Sequence, residues 1–489
     1  VKGVIVVRPS RADFLKAAKQ GHVLPIVKDV RADRLTPIDA FYALKATYLL
    51  ESAGGGAFGR YSFLGVQPVA SLRIDGEQVH WKDEEGERSF RSRDPVRAIG
   101  DLMRSRPWTA DGDLGPFPGG AVGYLGYDVA RLWEKLPDVS SKRGPGVPDG
   151  CFMVTRFTLV FDNLMHGLRI VCNQRVGTDP EADYVDAIRE IERIEYAVQR
   201  ADADRDSPRR PPEAGPLRPN MDQAAFVAGV DRAKELIAAG DAFQVVLSRR
   251  FDADFSGSPF DVYRALRSIN PSPYMFYLDF SDFVLLGASP EVMVRVEDGK
   301  ALLRPLAGTR RRGKDAAEDT ALRVELLADE KERAEHIMLI DLARNDLGRI
   351  AKSGTVKVDR MMEVENYSHV MHIVSEVSAS LAPGVDIFDV IRATFPAGTV
   401  SGAPKIRAME IIDEIEKDRR GPYAGLVGYF SYAGGFDSCI AIRSALVKDG
   451  IISVQAGAGI VFDSVGEREY EETAEKADAM LSAIGRGRR

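Results

Sequence analysis

The chain has 489 residues, 45% of them hydrophobic and 28% charged, with a formal net charge of -7. That length exceeds one ordinary hydrophobic core, so two domains or one large layered fold are expected. The acidic balance, with no basic stripe interleaved with aromatics, argues against a nucleic-acid partner, and no run approaches the roughly eighteen apolar residues of a membrane span.

The opening segment VKGVIVVRPS holds only a short apolar run at residues 4–7, too short for a signal peptide. Cys151, Cys172 and Cys439 are scattered and form neither a metal-ligand spacing nor a disulfide framework, which points to a reducing, cytoplasmic setting. Residues 151–163, CFMVTRFTLVFDN, read as a strand, and 181–201, EADYVDAIREIERIEYAVQRA, as a helix. The segment 201–220, ADADRDSPRRPPEAGPLRPN, is charged, carries five prolines and lacks apolar periodicity. It reads as a linker or long surface loop between an N-terminal region, 1–200, and a second region, 221–489.

After that divider, Asn220 and Gln223 have the spacing of a capping box. Phe226, Val227, Val230, Ala233, Leu236 and Ile237 predict an amphipathic helix that Gly240 ends. AFQVVLSRRF follows as a strand, with Phe243, Val245 and Leu247 on one face and Gln244, Val246 and Ser248 on the other. Gln244 is a polar residue in an apolar strand, either satisfied by backbone or functional. KERAEHIMLIDLARND, 331–346, places Glu332 and Glu335 one helical turn apart above an apolar run from Ile337 to Leu342. These acids either cap a solvated helix start or face a cation.

FPAGTVSGAPKIRAMEIIDEI, 395–415, reads as a small-residue loop entering a helix with Pro404 in its first turn, and it is not a Walker loop. His372 has apolar neighbours and reads equally as a core histidine. Arg443 lies in a segment otherwise suited to a buried strand, and a buried guanidinium requires an anionic partner. QAGAGIVFD, 455–463, reads as a second glycine-rich turn. Beyond it, Ser464 and Glu467 suggest a capping box, and Glu469 and Glu472 repeat the spacing of Glu332 and Glu335. Two such helices converging on a hard cation would suit magnesium, because all the candidate donors are oxygens. Together the residues suggest a site for a small carboxylated, metal-bound substrate without naming a reaction.

The set LAGTRRRG, DEKERAEHIMLIDLARNDLGRI, YSHVMHIVSEV, FPAGTVSGAPK, PYAGLVGY, AGAGIV and YEETAEKA, in that order, resembles the chorismate-utilising enzymes, most closely the anthranilate synthase component I group. The resemblance spans residues 221–489 and extends more loosely to YLLES and GRYSFLG. It implies an α+β fold, a large layered arrangement of packed antiparallel β-sheets flanked by helices, with the catalytic centre in 221–489. It implies conversion of chorismate and ammonia to anthranilate and pyruvate, with Mg2+ held by Glu335 and Glu472 and with Glu332 and Glu469 behind them. Glu291 and His372 are the implied acid and elimination partner, and Thr399 and Gln244 line the site. Gly308, Thr309, Tyr423, Arg443, Gly457, Ala458 and Gly459 form the implied substrate cradle. Relatives that add water carry a lysine in the place of Gln244, and aminodeoxychorismate synthases commonly carry one in the place of Ala307. Both positions therefore favour anthranilate over an aminodeoxychorismate, isochorismate or salicylate product. The intact acids and histidine argue against a catalytically silent tryptophan-binding protein. The resemblance further implies a separate glutaminase (glutamine amidotransferase) subunit in a hetero-oligomer. It also implies feedback inhibition by tryptophan at Leu50, Glu51, Ser52, Pro273, Tyr274 and Met275, with Phe276 beside them; the glycine-rich AGGGAFGRYS follows LLES.

Overall fold

A computed structural model describes residues 7–53, 59–112, 114–137, 142–201, 212–367 and 370–487. Residues 4–6 of the opening apolar run, the glycine-rich 54–58, positions 202–211 of the divider and 368–369 lie outside them.

Long apolar strands dominate, and their ladders are antiparallel. Tyr61–Asp75 and Gly150–Asp162 pair along almost their whole length, with a shift in register near Pro68. Strands this long twist, and different parts of Gly150–Asp162 take different further neighbours. Its C-terminal half pairs with Gly167–Arg175, and its N-terminal half with Gly120–Leu125. From this shared pair the ladders run outward as two layers. One passes through Tyr48–Glu51, Tyr274–Asp279, Phe283–Ser289, Ser444–Lys448 and Ile451–Ile460 to Gln244–Ser256. The other passes through Gly120–Leu125, Leu426–Ser431, Phe436–Ile440, Val292–Glu297 and Lys300–Leu303 to Val370–Ser380.

Period-two alternation gives each layer two apolar faces. The inner faces meet in a core that includes Tyr48, Phe276 and Leu285 from one layer and Val122, Val427 and Cys439 from the other. The outer face of the first layer packs under the helices Pro37–Leu44, Pro180–Gln199, Pro259–Ile269 and Gly466–Ala483. That of the second packs under Ala98–Arg104, Glu330–Gly348 and Ile387–Thr394. This is the layered α+β architecture expected.

Residues on either side of the divider share these ladders: Met275 opposes Glu51, and Leu426 opposes Leu125. The end of the divider also joins the sheet, since Glu213–Ala214 and Arg218–Pro219 both pair with Gln244–Ser256. Several local expectations are corrected. The helix Gln223–Ala238 is capped by Asp222, whose carboxylate accepts from Ala225 N; Asn220 instead accepts from Arg250 N in the neighbouring strand. Ser464 accepts from Val461 N, and the last helix starts at Gly466 without a side-chain cap. Ile337 is 44% exposed because it shares the solvent face of its helix with Asp341 and Arg344. QAGAGI is the end of a strand, not a turn.

Because Leu278 is fully buried between the layers opposite Tyr48, Leu278→Ala is expected to destabilise the protein by about 2–5 kcal/mol. All three tryptophans, Trp81, Trp108 and Trp133, precede the divider. Urea unfolding followed by their fluorescence should therefore register this distant substitution; an unchanged midpoint would show that the two regions unfold independently.

Candidate functional site

Two chain crossings build the centre of the site. Phe283–Ser289 belongs to one layer and Val292–Glu297 to the other, so the chain changes layers at Pro290 and Glu291. Likewise Phe436–Ile440 and Ser444–Lys448 lie in different layers, and the chain crosses between them at 441–443. Arg443 is thus at a break between strands with φ 51, not inside one strand as the apolar pattern suggested. Backbone bonds tie the crossings together: Ile440 N donates to Glu291 O, and Ala288 N to Arg443 O.

A cavity of about 720 Å³ opens beside them. Glu291 lines it, is nearly buried, and accepts from Thr399 Oγ1 at 2.9 Å. Burial pushes its carboxyl up to about 8, against the opposing pull of the Thr399 hydroxyl and the Lys476 charge. The carboxyl is therefore protonated at neutral pH. On the opposite wall His372 Nδ1 lies 2.9 Å from the Gly308 carbonyl and 3.1 Å from Thr309 Oγ1. A carbonyl can only accept, so Nδ1 carries the proton and Nε2 is the basic nitrogen. Burial, aided by the Arg443 charge, lowers the histidine pKa and keeps the ring neutral, although the Gly308 carbonyl acts in the opposite direction.

Strand alternation sends Gln244 and Val246 into the cavity and Val245 and Leu247 into the core beneath. Phe243, expected on the apolar face, lies before the strand and is 73% exposed. The same alternation in Ile451–Ile460 puts Gly457 and Gly459 at the cavity and Ala458 in the core with Val245. Ala458 therefore turns its methyl into the core, while the backbone of its two glycine neighbours borders the cavity. A Cβ on Gly457 would stand 2.9 Å from the Tyr423 hydroxyl, and one on Gly459 2.8 Å from Gln244 Nε2.

The helix Glu330–Gly348 is capped by Asp329, which accepts from Lys331 N and Glu332 N. It turns Glu332, Glu335 and Leu339 toward the cavity, and Gly466–Ala483 turns Glu469, Glu472 and Lys476 toward it with the same spacing. Glu335 accepts from Gln244 Nε2 at 3.2 Å, and Glu332 pairs with Arg310 at 3.1 Å. Glu472 pairs with Lys476 at 2.6 Å. Burial raises the pKa of both Glu332 and Glu469, with Glu335 and Glu472 respectively adding to it. Among the described residues no three candidate ligands are already gathered closely enough to hold a metal. Four carboxylates on two helices facing one cavity nonetheless fit magnesium, which takes one or two protein carboxylates and completes its shell with water and substrate oxygens.

Arg443 donates to the Lys476 carbonyl, and among the described residues it forms no ion pair with a carboxylate. Burial lowers its pKa, so an anionic ligand would satisfy it. Tyr423, buried beside it, has its hydroxyl pushed up to about 12 by burial and stays neutral. The sequence reading missed Lys476 and Gln455, both of which line the cavity. The position of Lys476, one turn beyond Glu472 in YEETAEKA, was the available signal.

A second, smaller cavity of about 110 Å³ is lined by Leu50, Glu51, Ser52, Pro273, Tyr274, Met275 and Phe276, so the strand pairing gathers all of these predicted residues. Tyr274 donates to Asp437 at 2.8 Å, and Glu51 accepts from Tyr263 at 2.7 Å and from Arg267. The Ser52 hydroxyl is buried with no hydrogen-bond partner among the described residues.

A profile of the chorismate binding enzymes matches residues 14–482, and the chain belongs to that family, within its anthranilate synthase component 1 branch. It is 44% identical over 476 residues to anthranilate synthase component 1 of Acetivibrio thermocellus, an alignment covering 96% of each chain. The crystal structure of anthranilate synthase component I from Streptococcus pneumoniae superposes with a TM-score of 0.77 at 37% identity, covering 92% of this chain and 98% of that one. The menaquinone-specific isochorismate synthase of Escherichia coli shares the fold, with a TM-score of 0.72 at 20% identity over 97% and 99% of the two chains. The protein is accordingly an enzyme of the chorismate-utilising class.

Gly459→Ala should push Gln244 from its contact with Glu335 and lower kcat/KM by roughly 10–100-fold with the circular dichroism spectrum unchanged. Wild-type kinetics from this variant would show that the Gln244 amide has no part in the site.

Proposed function

We propose that the protein converts chorismate and ammonia to anthranilate and pyruvate, working with a separate glutaminase that supplies ammonia from glutamine. The observation that carries this reading is the Gln244 side chain, which lies in the cavity and donates to Glu335. A neutral amide cannot deprotonate water, whereas ammonia is already a nucleophile. Ala307, which also lines the cavity, offers no amine either.

Arg443 and Tyr423 would bind a substrate carboxylate and a neighbouring oxygen. Glu291, protonated at neutral pH, would donate its proton to the C4 hydroxyl, which leaves as water while ammonia bonds to C2. In the second step the C2 proton departs and the ring bond to the enolpyruvyl oxygen breaks. The enolpyruvyl methylene takes up a proton, pyruvate leaves and the ring becomes aromatic. His372, neutral with Nε2 unprotonated, is suited to move a proton in that step. Magnesium held by Glu335 and Glu472 would supply charge stabilisation to the substrate carboxylate.

Tryptophan is the ligand we assign to the second cavity. Its aromatic and methionine lining, the unpartnered Ser52 hydroxyl and the Asp437 carboxylate suit an amphipathic amino acid. A cytoplasmic setting is supported by the three free, buried cysteines, and no helix among the described residues is long and apolar enough to cross a membrane.

The deciding assay is fluorescence-detected anthranilate formation from chorismate, ammonium and magnesium. Product is expected with magnesium, is lost with EDTA, and falls at least ~100-fold in Glu335→Gln; isochorismate or salicylate in its place would reject the reading. In the same assay L-tryptophan should slow turnover of the wild type but not of Ser52→Phe, which fills the second cavity. Equal inhibition of both would place the inhibitor elsewhere. With the free-ammonia concentration held constant, the rate should also fall as pH rises through about 8, where Glu291 loses its proton. An identical alkaline limb in residual Glu291→Gln activity would remove Glu291 from the acid role.

A further inference from the structure

Behind the cavity lies a charged pair that the catalytic reading does not use. Arg420 is 3% exposed and Glu416 6%. They meet through two parallel bonds, Arg420 Nε to Glu416 Oε2 at 2.9 Å and Nη2 to Oε1 at 2.6 Å. The remaining donors of the guanidinium reach the backbone of two separate cavity walls. Nη1 donates to the Val400 carbonyl and Nη2 to the Val246 carbonyl, each at 2.7 Å. Val400 follows Thr399, the partner of Glu291, and Val246 lies two residues beyond Gln244, in the same strand. The Glu416 Oε1 atom also accepts from Ser248 N at 2.8 Å and from Ser248 Oγ at 3.0 Å. Ser248 Oγ in turn accepts from Gln455 Nε2 at 2.9 Å, and Gln455 belongs to a third wall. The face of the guanidinium lies over the Tyr127 ring, 4.6 Å from its centroid.

We propose that Arg420, locked to Glu416, is a positioning residue that sets the Thr399 helical turn, Gly398–Ser401, against the Gln244 strand for the reaction, beyond the short ladder of Gly402 and Ala403 with Val245 and Gln244. A buried ion pair adds little stability over well-packed apolar residues, so its presence here calls for another reason. Two elements distant in sequence, the short helix Gly398–Ser401 and the strand Gln244–Ser256, meet on this one planar group, and the strand Ile451–Ile460 reaches it through Ser248 and Glu416. Only arginine offers a rigid fork with enough donors to reach a carboxylate and two carbonyls together; a lysine ammonium, a single point on a flexible stem, would leave at least one wall untied. Displacing Val400 would move Thr399 away from Glu291, and misplacement on that scale lowers turnover more than binding. The inference rests on Glu291 and Thr399 acting together in the chorismate reaction.

The test is a double-mutant cycle in kcat with chorismate, ammonium and magnesium, on variants whose thermal midpoints show them folded at the assay temperature. Arg420→Lys is expected to lower kcat by about 10–100-fold while KM for chorismate changes less than about threefold. Combined with Thr399→Val, it should fall no more than about twofold below the worse single variant, because both break the same contact. Combined with Arg443→Lys, whose role is substrate binding, the two effects on kcat/KM should multiply. Multiplication in both pairs, an unchanged kcat in Arg420→Lys, or no effect of Thr399→Val on kcat would overturn the proposal. If Arg420→Lys does not fold, Ser248→Ala, which opens the same network at its edge, takes its place in the cycle under the same criteria. Absence of wild-type turnover would instead reject the assigned reaction.

Discussion

A strand hydrogen-bonds to neighbours on its two edges, so a chain that passes from one sheet layer to another must leave its ladder at the crossing. In this protein two such crossings stand side by side, at Pro290–Glu291 and at 441–443, and each carries an ionisable residue. The rest of the site depends on that arrangement. Backbone groups freed at one crossing bond to the other, as Ile440 N does to Glu291 O and Ala288 N to Arg443 O. The gap between the diverging layers becomes the cavity. A carboxyl and a guanidinium can therefore be buried within a few residues of a β core, the carboxyl held by the Thr399 hydroxyl and the guanidinium by the Lys476 carbonyl instead of by each other.

The two cavities are lined by different residues, but neighbouring backbone joins them. Tyr274, which lines the smaller one, opposes Ser289 across the ladder, and Ser289 immediately precedes the crossing that bears Glu291. Cys439 lines the smaller cavity one residue before Ile440, whose amide holds the Glu291 carbonyl. Coupling between two sites requires an element that both ligands bias, and Phe283–Ser289 with its crossing carries Glu291 into the larger cavity and pairs with Tyr274 of the smaller one.

Much of this was legible in the sequence, for reasons that differ by residue. Period put each of Gln244, Glu332, Glu335, Glu469 and Glu472 on one face of a strand or helix, and the family resemblance turned that face toward the site. Arg443 was suspected from its chemistry, but its location was misread. DSCIAIRSALV has the apolar continuity of one strand, and only the partner ladders reveal that it is two strands in different layers. Ala458, expected in the substrate cradle through its backbone, sends its methyl into the core by strand alternation. Asn220 and Ser464 matched capping patterns yet serve neighbouring backbone, since a short polar side chain bonds whichever amide the tertiary fold brings nearest. The Arg420–Glu416 network left no sequence signal at all; its meaning lies in partners on two segments far apart along the chain, Val400 on one and Val246 and Ser248 on the other.

The lysine that holds Glu472 and the arginine that holds Glu332 have a consequence for how the protein is made. Carboxylates crowded into a cavity repel one another, and in many metalloproteins the ion must arrive before the chain can fold around it. Here the chain brings counter-charges of its own, Lys476 and Arg310, on side chains long enough to swing aside. At the proposed magnesium site, folding and metal loading would thereby be separate events. The polypeptide would fold before a cation binds, and the scaffold would stay intact when the cation leaves.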